Sequence, residues 1–130
     1  MKKVIFILCL LTMSCFLFSC GGNTEDKAVY MSITADEAKE IMDSASEYII
    51  LDVRTDEEFI EGHIPGAILI PDYEITASAN AMLPNKDQLI LVYCRSGRRS
   101  KLAAETLAEL GYTNVKEFGG IIDWKYEIEK

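Results

Sequence analysis

The chain has 130 residues, of which 49% are hydrophobic, and a formal net charge of −8. This length supports one domain with an apolar core, and the acidic balance argues against a nucleic-acid partner, because a phosphate backbone is bound by a basic surface. Three of the four cysteines lie in the first twenty residues, and only Cys94 lies beyond them. After removal of the N-terminus the domain would hold no pair of thiols for a disulfide and no thiolate cluster for a metal, so no metal or other cofactor is expected.

The N-terminus has the pattern of an export signal. Two lysines follow Met1, and the apolar residues 4–18 come next. A basic start followed by a short apolar run is typical of a secretory signal peptide, and the run is too short for a comfortable membrane span. Residues 17–21 read Leu-Phe-Ser-Cys-Gly, which resembles the lipobox of bacterial lipoproteins. The resemblance implies that Cys20 is acylated and becomes the first residue of the mature chain, with Cys15 as the alternative site.

The predicted organisation is a lipoprotein signal peptide over residues 1–19, a lipid-anchored polar tether over 20–28 and a folded domain over 29–130. An uncleaved anchor helix is the alternative to the signal peptide. Both interpretations attach the domain to a membrane. More than one acyl chain, as bacterial lipoproteins carry, gives stable anchoring. The expected location is therefore the cell envelope, with the domain facing the periplasm or the exterior.

The domain alternates predicted strands and helices. Capping boxes, Thr34 with Glu37 and Thr55 with Glu58, predict the starts of two helices. Apolar runs without alternation predict buried parallel strands. In chain order we expect strand 29–33, a helix to about residue 43, strand 48–53, a short helix through residue 60, strand 67–70, a helical segment around 77–82, strand 89–93, helix 101–110, strand 114–118 and a terminal helix that carries Trp124. This order indicates an α/β domain with a mostly parallel sheet.

Cys94 stands between the strand 89–93 and the helix 101–110. The seven residues 94–100 include three arginines. A helix N-terminus and neighbouring cations both favour a thiolate over a thiol. The alternative, an inert core cysteine, does not fit neighbouring arginines. The pattern therefore predicts a nucleophilic cysteine whose loop binds a small anion.

Three separated segments resemble motifs of rhodanese-like domains. Residues 52–67 resemble the signature segment, residues 94–100 resemble the active-site loop Cys-Arg-x-Gly-x-Arg-Ser, and residues 118–124 resemble the C-terminal Gly-Gly-x-x-x-Trp segment. The resemblance extends over 29–130 and implies a central, mostly parallel, five-stranded sheet with helices on both faces. It also implies a thiosulfate sulfurtransferase, in which the cysteine attacks the outer sulfur of thiosulfate, releases sulfite and passes the persulfide sulfur to cyanide or a thiol.

The resemblance also implies roles for the loop residues. Cys94 would carry the sulfur, and Arg95 and Arg98 would hold the anionic end of thiosulfate. Ser96 and Gly97 would contribute backbone N–H groups to an anion-binding nest around the sulfur.

The remaining candidates have supporting roles. Arg99 is expected either to orient the loop or to bind substrate. Ser100 is expected to cap the following helix through its side chain and to donate to the sulfur. Asp52 and Arg54 lie at the carboxyl end of a central strand, where ligands of parallel sheets bind. Asp52 could orient the loop, but an ion pair without a chemical role is favoured, while Arg54 is expected to pair with Glu58.

His63 and Trp124 are expected to be structural rather than catalytic. His63 belongs to the turn 62–66, which follows the second capped helix. Trp124 is expected to pack the terminal helix against the sheet.

Two rival functions remain. A phosphatase or arsenate reductase with this fold would place five residues between the cysteine and the loop arginine, whereas four separate Cys94 from Arg99 here. The shorter loop suits a sulfur atom better than a tetrahedral phosphate. A carrier that accepts a persulfide from a partner protein without turning over thiosulfate is the second rival, and the sequence does not exclude it.

Overall fold

The computed structural model describes residues 29–130, so the predicted signal peptide, the tether and Cys20 lie outside the described residues. A five-stranded sheet in which every pairing is parallel lies at the centre of this part of the chain. Its strands are β1 (Met31–Ser32), β2 (Ile49–Asp52), β3 (Ile68–Leu69), β4 (Ile90–Cys94) and β5 (Val115–Gly120). They are arranged in the order β1-β5-β4-β2-β3. The predicted parallel α/β sheet is confirmed.

Residues 29–130 contain four α-helices, and two of them begin at the predicted capping boxes. They are α1 (Ala35–Ser44), α2 (Asp56–Glu61), α3 (Ile75–Met82) and α4 (Arg98–Glu109). Before α1, the Thr34 hydroxyl accepts from the Glu37 amide at 3.1 Å, and the Glu37 carboxylate accepts from the Thr34 amide at 2.7 Å. Thr55 and Glu58 repeat the arrangement before α2. None of the helices within residues 29–130 has the length and apolar character needed to cross a membrane.

Successive residues of β4 pack into two cores, one on each face of the sheet. Ile90, Val92 and Cys94 belong to a cluster that includes buried residues of α3 and α4. Leu91 and Tyr93 belong to a second cluster that includes Ala38 of α1 and Trp124. This alternation follows from the period of two along a strand. Helices therefore cover both faces, as predicted, and Cys94 lies on the α3/α4 face.

The terminal helix predicted around Trp124 is wrong. Only a 3₁₀ turn, Ile121–Asp123, follows β5, and the backbone at Trp124 is extended. The indole of Trp124 donates to the carbonyl of Glu127 at 3.0 Å, and Glu129 forms an antiparallel bridge with His63. Because these contacts bind the last residues to the rest of the domain, the backbone groups that a helix would use are engaged elsewhere.

Leu107→Ala should lower the free energy of unfolding by about 2–5 kcal/mol, because Leu107 is fully buried in the α3/α4 core and its loss leaves a cavity. Leu102 of the same helix is 54% exposed, and Leu102→Ala is the matched control, with an expected change within about 0.5 kcal/mol. Urea denaturation measures both. Equal losses in the two variants would contradict the burial of Leu107 in this core.

Candidate active site

The sulfur of Cys94 lies at the carboxyl end of the central strand β4. Cys94 is a free cysteine and only 1% exposed. Its Sγ accepts a hydrogen bond from the amide of Gly97 at 3.0 Å and lies 3.5 Å from the hydroxyl oxygen of Ser100. The anion-binding nest was predicted from the amides of Ser96 and Gly97. Of these two, the Gly97 amide donates a hydrogen bond to the sulfur. A hydrogen bond to sulfur favours its charged form.

The backbone of the cysteine loop lies directly on Gly120. A Cβ atom on Gly120 would lie 1.9 Å from the carbonyl oxygen of Arg95 and 2.4 Å from the amide nitrogen of Ser96. The same carbonyl accepts from the amide of Ile122 at 3.2 Å. The predicted strand 114–118 extends further in the structure, because Gly119 and Gly120 continue β5, and Gly120 leaves the space that the loop occupies.

The first turn of α4 begins within the predicted loop. Gly97 is the N-cap, with a φ of +104° that glycine adopts without steric cost. Arg98 and Arg99 are therefore helical residues, because α4 begins three positions before the predicted residue 101. Arg95, Ser96 and Arg98 are exposed. Their substrate-binding roles stay predictions.

Arg99 is held by Glu58 of α2. The guanidinium donates two hydrogen bonds to the carboxylate, at 2.9 and 3.0 Å. The predicted pairing of Glu58 with Arg54 is wrong, because the cysteine loop brings Arg99 to this carboxylate. The hydrogen bond from Arg99 lowers the pKa of Glu58. Two roles are expected for Arg99, orientation of the loop and binding of substrate. This geometry fits the first of them.

Asp52 and Arg54 form a buried ion pair that does not reach the loop arginines. The Arg54 Nη2 lies 2.7 Å from Asp52 Oδ2, and it also donates to the carbonyl of Gly62 at 2.7 Å. The hydroxyl of Tyr93 donates to Asp52 at 2.6 Å. Burial is the main cause that raises the pKa of Tyr93, and the hydrogen bond to Asp52 raises it further. The structure thus contains an ion pair at Asp52, and the absence of a chemical role for it stays a prediction.

Ser100 does not cap α4 as predicted, because Gly97 occupies the N-cap position. Ser100 is instead the third helical residue, and it is fully buried. Its hydroxyl lies 2.7 Å from Oε1 of Glu117 and 2.9 Å from the carbonyl of Gly97. Glu117 is not among the residues predicted from the sequence. The sequence did contain a signal for its burial. Glu117 lies two residues after the apolar Val115 in the same strand, and alternate residues of a strand share a face.

His63 and Trp124 have structural contacts. The His63 ring stacks on Phe59 with a centroid separation of 3.8 Å, and Nδ1 lies 2.9 Å from the carbonyl of Phe59. Nε2 lies 3.2 Å from a carboxylate oxygen of Glu129. Trp124 packs against Phe118 on the sheet face opposite Cys94.

Within residues 29–130, no cluster of metal-ligating side chains is found, and a groove lies on the sheet face opposite the cysteine site. Within residues 29–130, no three or more His, Cys, Asp or Glu side chains are grouped so that they could hold a metal ion. A groove of about 450 Å³ is lined by Tyr48, Ile50, Ile64 and Trp124, among others. Because Ile50, Ile64 and Trp124 belong to the core on the α1 face, this groove is separated from Cys94 by the sheet.

Glu58→Gln should lower the free energy of unfolding at neutral pH by about 0.5–1 kcal/mol, since both partners of the ion pair are 28% exposed. Glutamine preserves the capping box, so the variant isolates the ion pair. Because the pKa of Glu58 is lowered by folding, the stabilisation is present above the ordinary carboxyl range, about pH 4.3, and is lost as the pH falls through the lowered value.

Urea denaturation across a pH series checks this dependence. Glu57→Gln, on the exposed neighbour in α2, is the matched control and should show no such loss. A deficit in Glu58→Gln that stays constant into acid would show that the ion pair is not its source.

Comparison with known proteins identifies the family. Residues 34–127 match the family model of the rhodanese-like domain. The chain is 41% identical over 73 residues to the thiosulfate sulfurtransferase PspE of Escherichia coli K12, covering 56% of this chain and 70% of that protein. It is 36% identical over 112 residues to the putative sulfur carrier protein YrkF of Bacillus subtilis 168, covering 84% of this chain but only 60% of that relative.

A solved structure gives the same result. A structure described as a rhodanese with anions from E. coli superposes with a TM-score of 0.60 and 37% identity, covering 64% of this chain and 98% of that one. The family match extends over most of the described residues and includes the Cys94 loop. The chain therefore belongs to the family of rhodanese-like sulfurtransferases.

Proposed function

We propose that this chain moves sulfane sulfur from thiosulfate, through a persulfide on Cys94, to a thiophilic acceptor such as cyanide or a thiol. One observation carries the proposal. The only thiol of residues 29–130 is held between the Gly97 amide and the Ser100 hydroxyl at the start of a 12-residue helix. The helix N-terminus and the loop amide both favour a negative charge on the sulfur. The name of the relative PspE supports thiosulfate as the donor.

The first half-reaction forms the persulfide. The Cys94 thiolate attacks the outer sulfur of thiosulfate, a new S–S bond forms, and the S–S bond of thiosulfate breaks as sulfite leaves with the electron pair. Arg95 and Arg98 are exposed beside the loop, where guanidinium groups can hold the sulfonate oxygens during this step.

The second half-reaction returns the enzyme to its starting state. Cyanide or a thiolate attacks the outer sulfur of the persulfide, and the S–S bond breaks with its electron pair returning to Cys94. The products are thiocyanate or a new persulfide. No other group of the protein is consumed, so this is a ping-pong cycle on one side chain.

Arg99 argues against phosphate chemistry. Both of its terminal nitrogens donate to Glu58, so the guanidinium is engaged rather than directed at a substrate. Together with the short loop, this favours sulfur transfer over a phosphatase or arsenate reductase.

A carrier that does not turn over thiosulfate is the second candidate. The relative YrkF is named a putative sulfur carrier, and a lone thiol is sufficient for that role. The two functions differ in the first half-reaction, because only the enzyme takes sulfur from free thiosulfate.

Incubation of the purified chain with thiosulfate should add one sulfur atom at Cys94, and later addition of cyanide should release thiocyanate. Intact and peptide mass spectrometry follow the sulfur, and a colour assay follows thiocyanate. Cys94→Ala is expected to abolish both signals, because it removes the sulfur acceptor. If the wild type takes up sulfur only from a persulfidated donor protein, the carrier function replaces the proposed one.

We also propose that the chain is a lipoprotein of the cell envelope, anchored through Cys20. The basic and apolar start of the chain and the lipobox-like segment 17–21 support this.

Cells grown with labelled palmitate should incorporate label into the wild type and recover the protein with the membranes. Cys20→Ala should lose both, because it removes the acylated thiol. Cys15→Ala is the matched control and should behave as the wild type. Label that is retained in Cys20→Ala and lost in Cys15→Ala would assign the anchor to Cys15.

A further inference from the structure

Glu117 is a buried carboxylate that neither half-reaction uses. It lies in β5 and is 2% exposed. Oε1 accepts from the Ser100 hydroxyl and from the Gly119 amide, both at 2.7 Å, and Oε2 accepts from the Ser32 hydroxyl at 3.1 Å. Three donors favour the charged form of a carboxylate, and no cationic side chain within residues 29–130 forms an ion pair with it. The domain therefore holds an unpaired negative charge in its interior.

The hydroxyl of Ser100 lies between this charge and the sulfur. Its oxygen lies 2.7 Å from Glu117 Oε1 and 3.5 Å from Cys94 Sγ. The carbonyls of Gly97 and Gly119 lie 2.9 and 3.3 Å from the same oxygen. A hydroxyl has one hydrogen to donate, and an ionised carboxylate is both the strongest and the nearest acceptor in this set. The hydrogen is therefore directed at Glu117, and the oxygen turns a lone pair, instead of the expected hydrogen, towards Sγ.

The carboxylate and the lone pair both oppose a negative charge on Sγ. The sulfur and Oε1 of Glu117 are neighbours of one oxygen, so a single hydroxyl separates them. Cys94 is 1% exposed, and charges that water does not reach interact more strongly than charges at the surface. The amide of Gly97 supports a thiolate at Sγ, whereas Glu117 opposes it.

Sulfur transfer moves a negative charge to and from this position. In the persulfide the charge belongs to the outer sulfur, one S–S bond of about 2 Å beyond Sγ. Because Ser100 stands between Sγ and the carboxylate, the outer sulfur bonds on another side and lies farther from Glu117. When an acceptor takes the outer sulfur, the electron pair of the broken S–S bond returns to Sγ. Release of the sulfur therefore brings the charge towards the carboxylate.

We propose that Glu117 is a positioning residue that retains sulfur on Cys94. It turns the hydrogen of Ser100 away from the sulfur, and its charge disfavours the thiolate that remains when the sulfur leaves. The loaded site is therefore favoured over the empty one. The proposal rests on the proposed function, in which Cys94 carries the sulfur, and it applies equally to the enzyme and to the carrier.

The test is the distribution of sulfur between Cys94 and glutathione. The purified full chain in detergent is mixed with an equal concentration of glutathione persulfide, and peptide mass spectrometry at equilibrium gives the loaded fraction of Cys94. In this exchange the Cys94 thiolate attacks the outer sulfur, and the glutathione thiolate leaves with the electron pair of the broken S–S bond, so no oxidant is needed.

The wild type should hold most of the sulfur. In Glu117→Gln the ratio of loaded to empty Cys94, relative to that of glutathione, should fall roughly threefold to tenfold. This is the range expected when a charge moves by about 2 Å near a carboxylate in the protein interior. Single-turnover release of thiocyanate from the loaded variant by cyanide should be faster, because the thiolate is a better leaving group.

Glutamine fits the site without the charge. Its carbonyl can accept the two hydrogen bonds that Oε1 accepts, and its amide can donate to the hydroxyl of Ser32. Glu117→Asp is the matched control, because it shortens the side chain but keeps the charge, and it should retain sulfur as the wild type does. Arg99 stays paired with Glu58 in all three proteins, so the positive charge of the loop is unchanged.

The pH profile of alkylation separates a charge effect from a loosened loop. Neutral iodoacetamide reacts with the thiolate of the empty site. The profile of Glu117→Gln should move to lower pH, with a limiting rate at high pH no greater than that of the wild type. The reason is that the thiolate becomes more populated but not more accessible. A loosened loop would raise the limiting rate and leave the position of the profile unchanged.

Three results would overturn the proposal. Glu117→Gln that retains as much sulfur as the wild type would show that the carboxylate has no part in retention. Equal losses in Glu117→Asp and Glu117→Gln would show that the charge is not the cause. If Glu117→Gln does not fold, the wild type alone decides, because most of the sulfur on glutathione would show that the site does not retain it.

The choice of donor separates this proposal from the proposed function. A wild type that takes no sulfur from thiosulfate, but retains sulfur taken from glutathione persulfide, would refute thiosulfate turnover and leave the retention standing. Uptake from thiosulfate with equal retention in the wild type and Glu117→Gln would do the reverse. Uptake from neither donor would refute both.

Discussion

The contact between Gly120 and the cysteine loop is the constraint on which the site depends. The loop backbone passes so close to Gly120 that no side chain fits there. This approach places Gly97 where its amide reaches the sulfur and where a left-handed φ starts α4. The β4–β5 register shifts between Val92 and Cys94, at the point where the loop leaves the sheet. The site is thus a feature of two neighbouring strands and not of the cysteine loop alone.

Electrostatics divides the loop arginines into two groups. Glu58 engages Arg99 through two hydrogen bonds, whereas Arg95 and Arg98 are exposed. In the proposed function, the exposed guanidinium groups of Arg95 and Arg98 are the ones that can meet an anionic donor.

The sequence predicted the elements better than the contacts between them. Capping boxes are local, so Thr34 and Thr55 located two helix starts correctly. The burial of Glu117 depends on strand order, which placed Ser32 and Ser100 around it. The partner of Glu58 likewise depends on where α4 meets α2. The terminal helix failed for the same reason, because apolar spacing cannot show that Glu129 pairs with His63.

The solitary thiol also determines how this domain meets oxidants. Residues 29–130 contain no second cysteine, so a sulfenic acid on Cys94 cannot resolve into an internal disulfide. Its reversible outcomes are adducts with small thiols, and its irreversible ones are sulfinic and sulfonic acids. Cys94 is therefore protected from oxidants by steric exclusion. Its side chain is 1% exposed, so a small reagent reaches the sulfur only by passing the loop that covers it. A persulfide of the kind proposed for Cys94 would keep the inner sulfur bonded, so that oxidation would take place at the outer sulfur.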